Sequence, residues 1–79
     1  MFKDKVLLIT GGTGSFGNAV LKNFLEVDFA EIRIFSRDES KQHEMRSRVN
    51  NPRVKFFIGD VRNYDSVTDV VRGSDYIFH

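Results

Sequence analysis

Seventy-nine residues leave room for one domain, and at that size folding hides only ~60% of the surface the unfolded chain exposes, so marginal stability is expected. An apolar share of 41%, a charged share of 29% and a net charge of +1 describe an ordinary soluble protein and point to neither nucleic acid nor an anionic membrane as partner. The absence of cysteine excludes disulfides and thiolate metal sites; the run Val6 to Ile9 is too short for a signal peptide or a membrane span, so a cytoplasmic protein is the expectation.

Lys5 to Thr10 (KVLLIT) is a continuous apolar run ending at Gly11-Gly12, which is how a strand covered on both faces reads. From Phe16 to Val27 the residues Phe16, Val20 and Phe24 recur every fourth position beside Leu21 and Leu25, a helical stripe. Glu31 to Phe35 (EIRIF) is a second strand, with enough alternation to suggest one less covered face. Ser36-Arg37-Asp38-Glu39 fits a capping box with Ser36 as N-cap, opening a polar helix to about Val49 whose apolar pair is Met45 and Val49; Asn50-Asn51-Pro52 stops it. Val54 to Ile58 is a third strand. Asp65 to Arg72 is a short helix with Val67, Val70 and Val71 inward, closed by Gly73, and Asp75 to His79 starts a fourth strand.

The order β-α-β-α-β-α-β predicts an α/β fold with a parallel sheet. Right-handed crossovers put the first two helices on one face and the third on the other, giving strand order 3-2-1-4, the first half of a Rossmann doubly wound sheet. Residues 1–79 are therefore expected to be a half-domain, incomplete, with its fourth strand an open edge.

Thr10 to Gly17 (TGGTGSFG) leaves a strand and opens a helix, with Gly11, Gly14 and Gly17 three apart. Such glycines serve a tight turn, close approach of backbone to a diphosphate, and helix–strand packing. The amides of Ser15 and Phe16, helped by the helix dipole, then face the phosphates, and Thr13 and Ser15 add hydroxyls. The bland alternative is a glycine-rich turn with no ligand.

NAD-binding units place an acidic residue near the end of the second strand to bind the ribose 2′-hydroxyl. Here Ser36 and Arg37 occupy that place, while Asp38 falls in the first helical turn. A hydroxyl, a guanidinium and a helix N-terminus suit a 2′-phosphate, and Lys41 adds charge; NADP is the expected cofactor. Asp38 and Glu39 are anions close to the proposed phosphate, and Ser36 has capping as its other role. Asp60 is placed to accept from an adenine amine with Val61 on the ring, or else to hold a strand-to-loop turn. His43 reads as solvated and the roles of His79, Tyr64 and Tyr76 stay open. Phe56, Phe57 and Phe78 read as core. No acid–base or nucleophilic group and no metal-ligand spacing emerges.

The stretches TGGTGSFG, Ile34 to Glu39 (IFSRDE) with Lys41, Phe57 to Arg62 (FIGDVR) and Tyr76 to His79 (YIFH) resemble the N-terminus of extended short-chain dehydrogenase/reductases of bacterial surface-polysaccharide synthesis. Within these, the chain is most similar to C5-inverting UDP-N-acetylglucosamine 4,6-dehydratases, a group of which serves capsule and O-antigen synthesis. The resemblance runs from Met1 to His79. It implies that Thr13, Gly14, Ser15 and Phe16 contact the NADP diphosphate, that Ser36, Arg37, Asp38, Glu39, Ser40 and Lys41 surround the 2′-phosphate, and that Asp60 and Val61 hold the adenine. Members are several times longer, with their acid–base residues and UDP-sugar domain beyond His79. In them a hydride passes from sugar C4 to NADP⁺, water leaves across C5–C6, and the hydride returns at C6. By this resemblance the whole protein takes a UDP-sugar and is expected to form a homo-oligomer, while these residues alone are expected to be inactive. The competing reading is a non-catalytic NADP-binding or interaction module.

Overall fold

Every strand of the chain ends at the same edge of one sheet, which is what assembles a site. The computed structural model describes residues 2–11 and 13–78; Gly12 within the glycine turn and His79 after the fourth strand lie outside the described residues, as does Met1. Four strands, β1 Val6–Thr10, β2 Glu31–Ser36, β3 Val54–Ile58 and β4 Tyr76–Phe78, alternate with helices α1 Ser15–Leu25, α2 Glu39–Val49 and α3 Tyr64–Val71. The strands are parallel and pair in the order β3-β2-β1-β4. This is the expected Rossmann-type half sheet, and its direction of winding reverses between β1 and β4.

Side-chain alternation on each strand divides the core in two. Leu7, Ile9, Ile32 and Ile34 go under α1 and α2, where they meet Val20, Leu21 and Met45. Leu8 and Phe35 face the other way, against Val70 and its half-buried neighbours Val67 and Val71 on α3. Burying each such side chain contributes roughly 1.5–3 kcal/mol. The polar alternation in β2 has its cause here: Glu31 and Arg33 lie on the α3 face, half-buried, and Arg33 donates to the carbonyls of Val70 and Arg72 at the end of α3. Arg53, just before β3, does the same for α1, donating to Leu25, Val27 and Phe29. Each guanidinium satisfies carbonyls left over at the negative end of a helix.

Three expectations change in the structure. Ser36 does not cap α2. It is the last residue of β2, held in the ladder opposite Ile58 with its carbonyl accepting from Gly59, and Asp38 is the N-cap instead, its carboxylate accepting from the Lys41 amide at 2.9 Å. Asp38 thus precedes the first helical turn rather than lying inside it. Phe16, expected on the buried stripe of α1, is 74% exposed: it sits in the first turn of the helix, with the Phe78 ring 6.4 Å away. Phe56, Phe57 and Phe78 do pack against the core as expected, Phe56 and Phe78 on the α1–α2 side and Phe57 on the α3 side, but stay half-buried because β3 and β4 are the outer strands; Arg46 lies over Phe56 and Arg33 over Phe57.

Candidate functional site

The parallel registers set Thr10 beside Phe35 and Ser36 beside Ile58, so the residues that follow the strands emerge side by side. Gly11 donates to the Phe35 carbonyl at 2.8 Å and Gly59 to the Ser36 carbonyl at 2.9 Å. Above these bonds lies a cleft of about 340 Å³ lined by Gly11, Phe35, Ser36, Arg37, Gly59, Asp60, Val61 and Arg62. Five residues singled out from the sequence, Gly11, Ser36, Arg37, Asp60 and Val61, are thereby brought to one cavity. Larger hollows lie elsewhere: one of about 450 Å³ between α1 and α2, against Ser15, Asn18 and Arg48, and two, of about 750 and 740 Å³, that run along the outer edge of β3 as broad open grooves away from the glycine turn. Glu39 and Ser40 line the last of these with His43 and Ile58, and so face away from the cleft.

The glycines of the turn differ in what they do. Gly11 has φ +65°, a left-handed conformation that side chains resist. Gly14 is the N-cap of α1 at φ −84°, ψ −172°, extended backbone open to any residue. A Cβ added at Gly14 meets nothing within 4 Å. Gly17 is buried inside α1. The first helical bond of α1 runs from the Asn18 amide to the Gly14 carbonyl, so the amides of Ser15, Phe16 and Gly17 precede the ladder and point out of the N-terminus. Whereas α2 and α3 take side-chain caps from Asp38 and Asn63, α1 has none. Thr13 is half-buried, and Ser15 and Phe16 are exposed at the mouth.

Electrostatics concentrate on Asp60. Its carboxylate receives Arg62 through the backbone amide and through the guanidinium, at 2.8–3.2 Å, and Arg37 approaches to 3.6 Å. The hydrogen bonds from Arg62 hold its pKa down from 3.8 to about 2, with the Arg37 charge a lesser contribution, so Asp60 is an anion throughout the neutral range. Arg37 and Arg62 stay largely exposed while bracketing it, which leaves the rim cationic. Lys41 is exposed one turn into α2.

The sequence reading passed over three contributors. Gln42 is buried, and its amide donates to the Ser36 hydroxyl at 3.0 Å and to the Phe57 carbonyl at 2.7 Å, clasping β2 to β3 beneath the cleft. The signal was present: position 42 falls on the Met45–Val49 stripe. Gly59 gives up its side-chain space to the Phe35 ring. Asn18 bonds back to the glycine turn. Among the described residues no group of acidic, His or Cys side chains is placed to hold a metal, and no helix is long and apolar enough to cross a membrane.

Residues 7–79 match the family described as polysaccharide biosynthesis protein. The chain belongs to this family. Among its curated relatives, the UDP-glucose 4-epimerase of Rickettsia bellii (strain RML369-C) is 65% identical over 83 residues, which cover the whole of this chain and 24% of the relative. The chain therefore spans about a quarter of the length of the relatives it matches. Among solved structures, the X-ray structure of Pen from Bacillus thuringiensis superposes with a TM-score of 0.91 at 42% identity, over all of this chain and 25% of that one. The L-sorbose reductase from Gluconobacter frateurii, crystallised with NADPH and L-sorbose, is 27% identical with a TM-score of 0.66, over 94% of this chain and 30% of its own. The family member described here thus shares its fold with a reductase crystallised with NADPH and its sequence with proteins named for a UDP-sugar.

Proposed function

We propose that these residues are the NADP(H)-binding portion of a nucleotide-sugar epimerase or dehydratase, and that the whole protein acts on UDP-N-acetylglucosamine as a 4,6-dehydratase in polysaccharide synthesis. One observation carries the cofactor half of this reading. Gly14 is glycine where neither a positive φ nor packing requires it, at the mouth of a helix without a side-chain cap whose first amides are aimed outward; besides serving as N-cap, it leaves room for a closely approaching anion. The UDP-sugar half draws on the relatives' name. The choice of dehydratase and of the N-acetylated sugar rests on the resemblance of GGTGSFG, SRDE and GDVR.

In this reading the Gly14–Gly17 segment holds the diphosphate, with Thr13 and Ser15 adding hydroxyl donors. The 340 Å³ cleft holds the adenosine between Gly11, Gly59 and Val61, and Asp60 meets the adenine amine while tethered by Arg62. Ser36, whose oxygen already accepts from Gln42, has its own proton left to donate to a 2′-phosphate. Arg37 and Lys41 supply charge there. Asp38 holds the head of α2 through one oxygen, Oδ1, which accepts from Lys41; its other oxygen remains an acceptor, so the preference for NADP rests on Ser36, Arg37 and Lys41. Glu39 and Ser40 face the hollow beside β3 and act at most through the helix they open. When bound, NADP⁺ supplies the hydride acceptor; the residues that move protons on the sugar lie in the rest of the protein.

Arg37→Ala tests the assignment. Removing one charge-assisted pairing, about 1.5–3 kcal/mol, should weaken NADP⁺ binding by calorimetry some 10- to 100-fold in the full chain and leave NAD⁺ within about threefold. Equal losses for both cofactors, or none for either, would remove the 2′-phosphate from this corner.

A further inference from the structure

Asn18 directly follows the glycine segment, one turn beyond Gly14, and does more than continue α1. Its side-chain amide donates to the Gly14 carbonyl at 2.9 Å and lies 3.5 Å from the Thr13 carbonyl, while its oxygen accepts from Arg48, near the end of α2, at 2.9 Å. In a trans peptide the C=O and the next N–H point in opposite directions. Drawing the Thr13 and Gly14 carbonyls back toward Asn18 therefore turns the Gly14 and Ser15 amides outward, over the N-terminus of α1. Arg48 can only donate, so it fixes which end of the Asn18 amide faces the turn. We propose that Asn18, oriented by Arg48, is a positioning residue that sets the glycine turn in its anion-receiving conformation, so that α2 contributes to diphosphate affinity from outside the cleft.

This inference rests on the cofactor reading above, and its test separates the two. Binding of NADP⁺ and of 2′-AMP, which has a 2′-phosphate but no diphosphate, is measured by NMR titration of the full chain. Asn18→Ala loses one hydrogen bond and should weaken NADP⁺ about tenfold while leaving 2′-AMP unchanged. Asn18→Asp keeps a partner for Arg48 but sets an acceptor against two carbonyls, and should weaken NADP⁺ more than Asn18→Ala does. Arg48→Ala, which removes only an exposed bond and leaves the turn's own residues intact, should weaken NADP⁺ about threefold, and combined with Asn18→Ala should add nothing further. Losses shared equally by NADP⁺ and 2′-AMP, additive losses, or no loss in any variant overturn the positioning role. A wild-type chain that binds 2′-AMP but not NADP⁺ overturns it as well, and one that binds neither overturns the cofactor reading with it.

Discussion

Gly14→Val should cost at least ~100-fold in NADP⁺ affinity, close to 3 kcal/mol, while the protein stays folded. At φ −84° and ψ −172° a branched side chain is at ease, and the Cβ enters open space. The expected price in stability is therefore that of a poorer N-cap, about 1 kcal/mol. An isopropyl group at the mouth of α1 does, however, stand where the proposed function brings a diphosphate within hydrogen-bond distance of the Ser15 and Phe16 amides. Calorimetric titration beside a thermal melt separates the two effects. If Gly14 were there for folding, the variant would melt early and its folded fraction would bind normally. Gly11 offers the contrast: with φ +65°, a substitution there strains the backbone and should be paid for in folding first.

Gly59→Ala should destabilise the fold by about 2–3 kcal/mol. The added Cβ would stand 2.6 and 2.8 Å from two ring carbons of Phe35 and 3.1 Å from the Ser66 Cβ. Phe35 is 1% exposed and packed between β2 and α3, so the ring has nowhere to retreat without disturbing Leu8 and Val70. Against the 5–15 kcal/mol typical of a domain, such a loss lowers the melting temperature by several degrees. Phe35→Leu in the Gly59→Ala background removes the clashing ring atoms and should recover part of the loss, although it is itself destabilising in the wild type. A Gly59→Ala protein that melts with the wild type would mean that β3 can slide away from Phe35, and that the floor of the cleft is softer than its packing implies.

The order of elements was legible because each rests on a local pattern: a continuous apolar run for β1, a short run broken only by Lys55 for β3, a four-residue recurrence for α1, glycine or Asn-Pro at the exits. The Ser36 error shows where local pattern stops. SRDE fits a capping box by type and spacing, yet pairing with β3 draws Ser36 into the ladder opposite Ile58, and the cap passes to the next residue able to serve, Asp38. A long-range backbone bond outweighed a short-range side-chain one. Phe16 is the other departure: its spacing matches Val20 and Phe24, but it sits in the first turn of α1 and stays exposed. Gly11, Arg37, Asp60 and Val61 could be expected together from sequence because each follows a strand whose end a parallel sheet must align with its neighbours. Arg33, Arg53 and the Arg48–Asn18 bond could not, since each joins positions 24 to 39 residues apart and leaves no periodic trace. Gly59 carried only the mark of a strand exit; that it abuts Phe35 is a fact of packing.

Backbone amide NMR of the full chain during titration with NADP⁺ reads the decisive contact itself. The largest shifts should fall on the amides of Gly14, Ser15, Phe16 and Gly17, with a second group at Arg37 to Lys41 that is absent when NAD⁺ replaces NADP⁺. Saturation with NADP⁺ that leaves the Gly14–Gly17 amides unmoved would contradict the claim that this turn receives the diphosphate.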